Sequence, residues 1–447
     1  MKKEDILVEL YRQAAVDNDI PAELYPKYDV KKGLRNENKT GVLVGLTRIC
    51  DVVGYEMIDG KKVDIPGRLY YRGIEIKDIV ANCDFKPGTY EEVCYLLVFG
   101  SLPTKQQYDD FCVYLRENYQ LPDTFLNSTL LKLPAQNMMN KIQRALLVLY
   151  EYDFLAEDIS VENTLIQGLN IVAHLPTIVI YSYLNLLQTK SGITREMPKP
   201  NSELGFAESI LYMLREDHSF TKEEAELLDI IMTIHADHGG GNNSTFANVV
   251  VASTDTDLYS ALAAAVGSLK GPKHGGANEK VCAMMSDAIL TLGLKATADQ
   301  MKDHIAKLLN REGFDNSGLF YGIGHAVYTI SDPRAELLFD CCQNLASSDY
   351  FKEKLAFYQQ FANVAIDYLQ ETKGGYFCAN VDFYSGLAYE MLAIPSELYL
   401  PIFAISRTIG WLAHNLENKL YSNRIIRPAT KFIGDYISYT KLEERKQ

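Results

Sequence analysis

From Tyr90 onward, apolar residues recur at every third or fourth position, which is the spacing of one buried helix face. In YEEVCYLLVFG, Val93, Leu96 and Leu97 follow this spacing, and the pattern stops at Gly100. ALLVLYEYD, TLIQGLNIVAHL and AESILYMLRE repeat it. No strand–helix alternation and no GxGxxG motif accompany these segments, which argues against a doubly wound nucleotide-binding sheet. The sequence therefore predicts a mainly α architecture.

The residues before Tyr90 follow other patterns. Glu4 to Ala15 has the character of a short helix, and a polar tract follows it as far as Thr40. From Gly41, β-branched residues alternate with turn residues, and Asp59-Gly60 is a strong hairpin signal. We expect a small antiparallel β element near the N-terminus.

Length, composition and charge limit the class of protein. A chain of 447 residues with 47% apolar content can bury a large core, and eight cysteines without a CxxC pair favour reduced thiols. A net charge of −14 argues against nucleic-acid binding, although a local arginine cluster can still hold a small anion. MKKEDILVELYRQ lacks the apolar run of a signal peptide, which favours a cytoplasmic location. The apolar window from Ile171 is interrupted by His174, Pro176 and Asn185, so we expect a buried core helix and no membrane association.

Three segments, HADHGGGN, GPKHGGANEKV and YGIGHAVYTISDPR, place histidines beside glycines. His235, His238, His274 and His325 are half of the eight histidines in the chain. Glycine lets a ligand approach the backbone, and imidazole exchanges a proton near neutral pH. This clustering predicts a single site for a polar substrate.

Metal binding is a competing interpretation of the first histidine pair. EAELLDIIMTI predicts an amphipathic helix that ends at His235, with His238 in the loop after it. The zinc hydrolase motif HExxH needs histidines four apart and a glutamate between them, whereas Ala236 and Asp237 occur here. We therefore expect no metal.

Two further groups suit proton abstraction next to a carbonyl. His274 precedes a predicted helix at Ala277, where the helix dipole lowers the pKa of the imidazole and favours a neutral donor. Asp382 in NVDFYSG has apolar neighbours, and burial raises the pKa of a carboxylate and makes it a better base. The combination predicts a base with imidazole donors at the oxygen where charge develops.

Three arginines are candidates for binding an anion. Arg334 follows Asp332-Pro333, a helix-start signal, and lies close to His325. Arg407 lies on the apolar helix PIFAISRTIGWLAHNLE, where a buried arginine needs an anionic partner such as a substrate carboxylate. Arg427 in RIIRP is, by pattern alone, an ordinary surface arginine.

The order of several segments carries a family resemblance. YRGIEIKDI, YEEVCYLLVFGSLPT, the three histidine segments, NVDFYSG, SRTIGWLAHNLE and RIIRP together resemble the citrate synthase family over nearly the whole chain. The resemblance implies a two-domain, mainly helical fold with the small antiparallel β element. Residues 1–274 and 386–447 would form a large domain for dimerisation and oxaloacetate binding, and residues 275–385 a small domain that moves on the CoA side.

The resemblance also implies a reaction. An acyltransferase of this family condenses acetyl-CoA with oxaloacetate and hydrolyses citryl-CoA to citrate and CoA, at the entry to the tricarboxylic acid cycle, with no tightly bound cofactor. The implied catalytic residues are Asp382 as the base, His274 as the donor to the thioester oxygen and His325 at the oxaloacetate carbonyl. His238, Arg334 and Arg407 would hold carboxylates. Arg427 would come from the other subunit of a homodimer.

Binding of the CoA moiety is less well defined. The resemblance assigns it to Lys373, Gly322 and Gly324, but Ala326 and Thr329 stand where bacterial members often carry basic residues. Three other candidates have no motif behind them: Lys270, Lys273 and Lys280.

Two alternatives remain open at this point. A 2-methylcitrate synthase uses propionyl-CoA with the same catalytic groups, and one methylene changes binding by only about 1–3 kcal/mol. A non-catalytic relative is disfavoured, because every catalytic position of the family is filled.

Overall fold

The computed structural model describes residues 3–38, 40–422 and 424–445. They form two compact units, one of Met1–Leu46 with Ile426–Gln447 and the other of Thr47–Ile425. The first unit contains α1 (Lys3–Asp17) and α2 (Leu24–Lys27). The predicted domain boundaries at residues 274/275 and 385/386 both fall inside the second unit, and that division stays a prediction.

Helices dominate the second unit, as the apolar spacing predicts. They are α3 (Ile76–Asn82), α4 (Thr89–Phe99), α5 (Lys105–Glu117), α6 (Asp123–Phe125), α7 (Met138–Leu149), α8 (Val161–Ser191), α9 (Phe206–Leu214), α10 (Lys222–His235), α11 (Asn243–Ala252), α12 (Leu258–Leu269), α13 (Ala277–Leu292), α14 (Ala298–Leu309), α15 (Pro333–Leu345), α16 (Asp349–Lys373), α17 (Val381–Met391) and α18 (Tyr399–Tyr421). The mainly α fold class is confirmed.

The β element is a three-stranded antiparallel sheet in the order β1 (Cys50–Ile58), β2 (Lys61–Tyr71), β3 (Ile74–Glu75). Asp59 and Gly60 form the turn between β1 and β2, with φ of 51° and 74°. Two consecutive positive φ values are what a two-residue hairpin turn requires, so the hairpin prediction is confirmed.

The core lies where α8 and α18 pack on each other, with α4 and α10 against α18. By length and composition α8 could cross a membrane, but most of its apolar window is buried inside the protein. The window from Ile171 is therefore a core helix, as predicted. All eight cysteines are free thiols.

Helix α10 differs from the prediction of an amphipathic helix. From Leu227 to its last residue it is buried on every side, because α4, α9, α15, α17 and α18 all contact it. Its buried Asp229 accepts the backbone N–H groups of Thr89 and Tyr90 at the start of α4, both at 2.9 Å. Asp229 therefore caps the start of α4 and is not part of a solvated face.

Candidate active site

One cavity of about 280 Å³ in the second unit brings together six of the residues to which the resemblance assigns a role, and His235 and Lys273 line it as well. The six residues come from the loop after α10, the turn before α13, the loop before α15, the starts of α15 and α17, and the middle of α18. The six are His238, His274, His325, Arg334, Asp382 and Arg407.

Arg407 is fully buried and has one hydrogen bond to the residues that the structure describes. Its Nε donates to the carbonyl oxygen of His235 at 2.5 Å, and its guanidinium lies over the Phe403 ring, 4.7 Å from the centroid. Nη1 and Nη2 are buried and have no hydrogen-bond partner among the described residues. Burial lowers the pKa of Arg407, yet an arginine stays charged. The cavity therefore holds a cation that lacks an anion.

Arg334 is buried as well, but it has a partner. Asp332 caps α15 and accepts from the backbone N, Nε and Nη2 of Arg334 at 3.0, 3.0 and 2.7 Å. Burial lowers the pKa of Arg334, and the Asp332 carboxylate more than offsets this, so the net shift is upward. This ion pair fixes Arg334 beside the cavity.

His235 and His238 are neutral. The Nδ1 of His235 lies 2.7 Å from the carbonyl oxygen of Ile231 and must carry the proton, and burial lowers the pKa of His235 to about 3. Burial, followed by the charge of Arg334, holds the pKa of His238 well below its ordinary value. The buried Nε2 of His238 has no hydrogen-bond partner within the described ranges.

Hydrogen bonds determine the tautomer of His325. Its Nδ1 accepts the backbone N–H groups of Val327 and Tyr328 at 3.1 and 3.0 Å, and its ring stacks on Tyr328 with centroids 4.7 Å apart. Because Nδ1 accepts two hydrogen bonds, the proton of the neutral imidazole lies on Nε2. His325 is thus a donor through Nε2.

The loop before His325 depends on two glycines. Gly322 and Gly324 have φ of 82° and 96°, and Gly324 donates to the carbonyl oxygen of Cys378 at 2.8 Å. A Cβ at Gly322 would lie 2.8 Å from the ring of Phe383. Neither glycine lines the cavity. Their backbone groups hydrogen-bond to the segment before α17 and so hold the loop in place. Their role in CoA binding stays a prediction.

Asp382 lies in the first turn of α17, where Asn380 Oδ1 accepts its backbone N–H at 3.0 Å. Burial raises the pKa of Asp382 to about 6, although the positive charge of Arg334 opposes the shift. A carboxylate with this pKa is ionised at neutral pH and still takes up a proton readily.

His274 is held by Ser244, whose Oγ lies 3.1 Å from Nε2. Burial, followed by Arg407, lowers the pKa of His274 to about 4, so the ring is neutral. Ser244 also accepts from Trp411 Nε1 at 3.3 Å and donates its hydroxyl proton to Asn242 Oδ1 at 2.8 Å. Ser244 therefore accepts from Nε2, and the proton of the neutral His274 ring lies on Nε2. His274 is a donor from Nδ1 only as the other tautomer, with the Ser244 hydroxyl turned to donate to Nε2.

The lysines predicted to contact CoA, and Arg427, differ in their position relative to the cavity. Lys373 is exposed at the end of α16 and does not line the cavity, whereas the exposed Lys273 does. Lys280 is paired with Asp315 at 3.0 Å. Arg427 is exposed and belongs to the first unit. Lys270 is exposed.

Several residues in or beside the cavity were not predicted from the sequence. Asn278 on α13 donates to Ser385 on α17, and four apolar or aromatic side chains line the same cavity: Tyr389, Tyr399, Leu400 and Phe403. Ser244 could not be recognised, because it lies 30 residues from His274 along the chain. Over the described part of the chain, no three His, Cys, Asp or Glu side chains are grouped as metal ligands.

Together, the fold and the site define a mainly helical enzyme in which a buried arginine and a carboxyl base face one cavity. The family model described as citrate synthase, C-terminal domain, matches residues 37–429. A citrate synthase from Synechocystis is 32% identical over 92% of this chain and 94% of its own length. The chain belongs to the citrate synthase family and is an acyltransferase of the citrate (Si)-synthase type.

Two other relatives bear on the substrate. A 2-methylcitrate synthase from Shewanella oneidensis is 32% identical over 82% of this chain and 88% of its own length. Citrate synthase from Thermoplasma acidophilum, solved as a ternary complex with carboxymethyl coenzyme A and oxaloacetate, superposes with a TM-score of 0.76 at 26% identity. That superposition covers 93% of this chain and 99% of the other.

Proposed function

We propose that this protein condenses acetyl-CoA with oxaloacetate and hydrolyses the resulting citryl-CoA to citrate and CoA. The observation that carries the proposal is the buried guanidinium of Arg407, with Nη1 and Nη2 unpartnered among the described residues, in the same cavity as Asp382. A buried cation of this kind calls for an anionic ligand, and oxaloacetate has two carboxylates.

Arg407, Arg334 and His238 bind the oxaloacetate carboxylates. An arginine contacts a carboxylate through two parallel N–H groups, which fixes its orientation and neutralises its charge. The free Nε2 of His238 supplies a further polar contact at the same end of the cavity. His325 donates from Nε2 to the ketone oxygen of oxaloacetate and polarises that carbonyl.

Asp382 removes a proton from the methyl group of acetyl-CoA. The electron pair of the broken C–H bond forms the enolate. With the Ser244 hydroxyl turned from Asn242 to Nε2, neutral His274 carries its proton on Nδ1 and donates it in a hydrogen bond to the thioester oxygen, which gains negative charge. The nucleophilic carbon attacks the ketone carbon of oxaloacetate, and the new C–C bond forms as the π bond of the ketone breaks. The resulting alkoxide oxygen accepts a hydrogen bond from His325 Nε2 and takes up a proton from water, which gives the hydroxyl group of citryl-CoA. Water then hydrolyses the thioester, releasing CoA as the thiol and citrate with its third carboxylate.

Residues 275–385 close over the substrates and exclude water during these steps. Lys273 is our leading candidate for a contact with the CoA phosphates, because it is exposed and borders the cavity. Lys373, predicted from the family resemblance, is the second candidate. Acetyl-CoA is a substrate in this scheme, and no tightly bound cofactor is required.

The enzyme acts in the cytoplasm as a homodimer in which Arg427 reaches the neighbouring site. Large apolar side chains are exposed on α7, on α8 and in the segment between them, which supports a protein partner on that surface: Leu147, Phe154, Leu155 and Ile166. Mixing inactive Arg427→Ala and Asp382→Asn subunits under exchange conditions should restore up to half the wild-type activity per hybrid dimer. If subunit exchange is demonstrated and activity does not recover, Arg427 and Asp382 act in the site of the same chain.

A thiol-release assay with oxaloacetate tests the proposal directly. We expect a higher kcat/KM with acetyl-CoA than with propionyl-CoA. A higher value with propionyl-CoA would favour the 2-methylcitrate synthase activity for which the Shewanella relative is named. The absence of thiol release with both thioesters would indicate a non-catalytic relative.

A further inference from the structure

One end of the cavity is lined by side chains to which the reaction scheme assigns no role. Tyr389 on α17 is 2% exposed, and its ring stacks on Tyr399, the first residue of α18, with centroids 4.8 Å apart and an interplanar angle of 23°. Leu400 comes next, and a Cβ added at Gly275 would lie 2.6 Å from its Cδ1. This end is therefore closed by two helices and the turn that carries His274.

Tyr389 shares a helix face with the base. Asp382, Ser385 and Tyr389 are spaced three and four residues apart on α17, and all three line the cavity. Tyr389 lies two turns beyond Asp382, roughly 10 Å along the axis, and helical side chains lean toward the N-terminus of their helix. The phenol therefore extends back over Ser385 toward the base. Burial raises the pKa of Tyr389, and the charge of Asp382 adds to this shift.

We propose that Tyr389, backed by Tyr399, closes the acyl end of the cavity and sets the preference for acetyl over propionyl thioesters. The inference rests on the proposed function. The carbon that loses its proton must lie against Asp382, between the donor His274 and the bound oxaloacetate. A second carbon on a longer acyl chain has to extend into the remaining wall, which Tyr389 and Tyr399 form.

Two features make this wall selective. The stacked ring of Tyr399 limits movement of the Tyr389 ring away from the base, so an extra methyl group cannot be accommodated by a small shift. The Tyr389 hydroxyl is buried and has no hydrogen-bond partner in the part of the chain that the structure describes. A methyl group beside it excludes the water that would otherwise satisfy the hydroxyl, which disfavours the longer substrate further.

The test compares kcat/KM for propionyl-CoA and acetyl-CoA at saturating oxaloacetate in the wild type and in Tyr389→Leu. Removing the ring should raise the propionyl-to-acetyl ratio about tenfold, the size expected for accommodating one methylene. Tyr384→Leu is the matched control, because Tyr384 is buried on the same helix and packs on Phe339, outside the cavity lining. Its ratio should stay within about twofold of the wild type.

An unchanged ratio in an active Tyr389→Leu enzyme, or an equal change in Tyr384→Leu, overturns the inference and leaves the proposed function standing. A wild-type enzyme that releases no thiol with either substrate overturns the proposed function and the inference with it. Should Tyr389→Leu fail to fold by circular dichroism, Tyr399→Leu replaces it. That variant removes the backing ring, should also raise the ratio, and overturns the inference if it does not.

Discussion

Arg334 and Arg407 are both buried beside the cavity, but the regions that hold them differ. Arg334 lies at the start of α15, where Asp332 accepts three of its N–H groups, two of them from the guanidinium. Arg407 lies in the middle of α18, where its guanidinium lies over Phe403 and, among the described residues, donates to a single backbone carbonyl. The carboxylate with the largest effect on the pKa of Arg407 is Asp237, which accepts from His414 and the backbone of Gly239 instead.

The two arginines show two different roles of a buried positive charge, one structural and one in ligand binding. Asp332 neutralises Arg334 within the protein, so this arginine keeps its position whether or not a ligand is present. Arg407 remains without a carboxylate contact until an anion enters, so its desolvation is compensated mainly in the complex. Both arginines lower the pKa of Asp382, which links the binding end of the cavity to the base.

The largest expected effect is on folding. Arg334→Met should destabilise the protein by about 3–5 kcal/mol, because it leaves Asp332 buried without its cation. Arg407→Met should cost about 1 kcal/mol, since it removes one hydrogen bond to a carbonyl. Urea unfolding measures both. The double variant Asp332→Asn/Arg334→Met should recover most of the loss, and equal costs for the two single variants would contradict the comparison.

Asp382→Asn should reduce kcat by about 10²-fold or more, because the amide cannot accept the methyl proton. The variant should also be more stable than wild type at pH 8. In the wild type the folded-state pKa of Asp382 is about 6, which exceeds the ordinary carboxyl value. Ionised Asp382 therefore destabilises the fold above pH 6 and not below pH 4.

At pH 8 the expected gain is up to about 3 kcal/mol, and at pH 4 it should fall to about 0.5 kcal/mol. Turnover is measured by thiol release, and stability by urea unfolding at both pH values. Turnover of the variant within a few-fold of the wild-type value would show that Asp382 is not the catalytic base. An equal change in stability at both pH values would contradict the raised pKa.

Arg407→Leu should raise the KM for oxaloacetate by about 10-fold to 150-fold, which corresponds to the roughly 1.5–3 kcal/mol of a charge-assisted contact. Thermal unfolding with and without oxaloacetate provides an independent measurement. Oxaloacetate should raise the Tm of the wild type and have little effect on the variant. An unchanged KM in the folded variant would show that the unpartnered guanidinium does not bind the substrate.

The smallest expected effect is a shift in pH dependence. Wild-type kcat/KM for acetyl-CoA should fall as pH decreases through about 6, where Asp382 takes up a proton. Arg407→Leu should move this acidic limb to higher pH by less than about one unit, because the charge of Arg407 lowers the pKa of Asp382. Asp332→Asn/Arg334→Met should move it little, since the two lost charges act in opposite directions. A downward shift in Arg407→Leu would contradict this electrostatic link.

Local patterns in the sequence were sufficient for much of the fold. The apolar spacing around Val93 predicted α4, Asp59-Gly60 predicted the hairpin and Asp332-Pro333 predicted the start of α15, and each lies where it was expected. Glycines beside histidines marked the loops of the site. These features depend on residues a few positions apart, so neighbours in sequence suffice to specify them.

Only the tertiary structure decided which of these residues meet and in what protonation state. Ser244 contacts His274 because α11 and the turn before α13 approach each other, and Tyr389 meets Tyr399 across two helices. The spacing in EAELLDIIMTI could not reveal that α10 is surrounded by five helices. Likewise, the apolar neighbours of Asp382 in the sequence predicted a raised pKa, but the complete burial that raises it comes from elements remote in the chain. Packing between distant segments sets solvent exposure and charge neighbours, and these control the chemistry of the site.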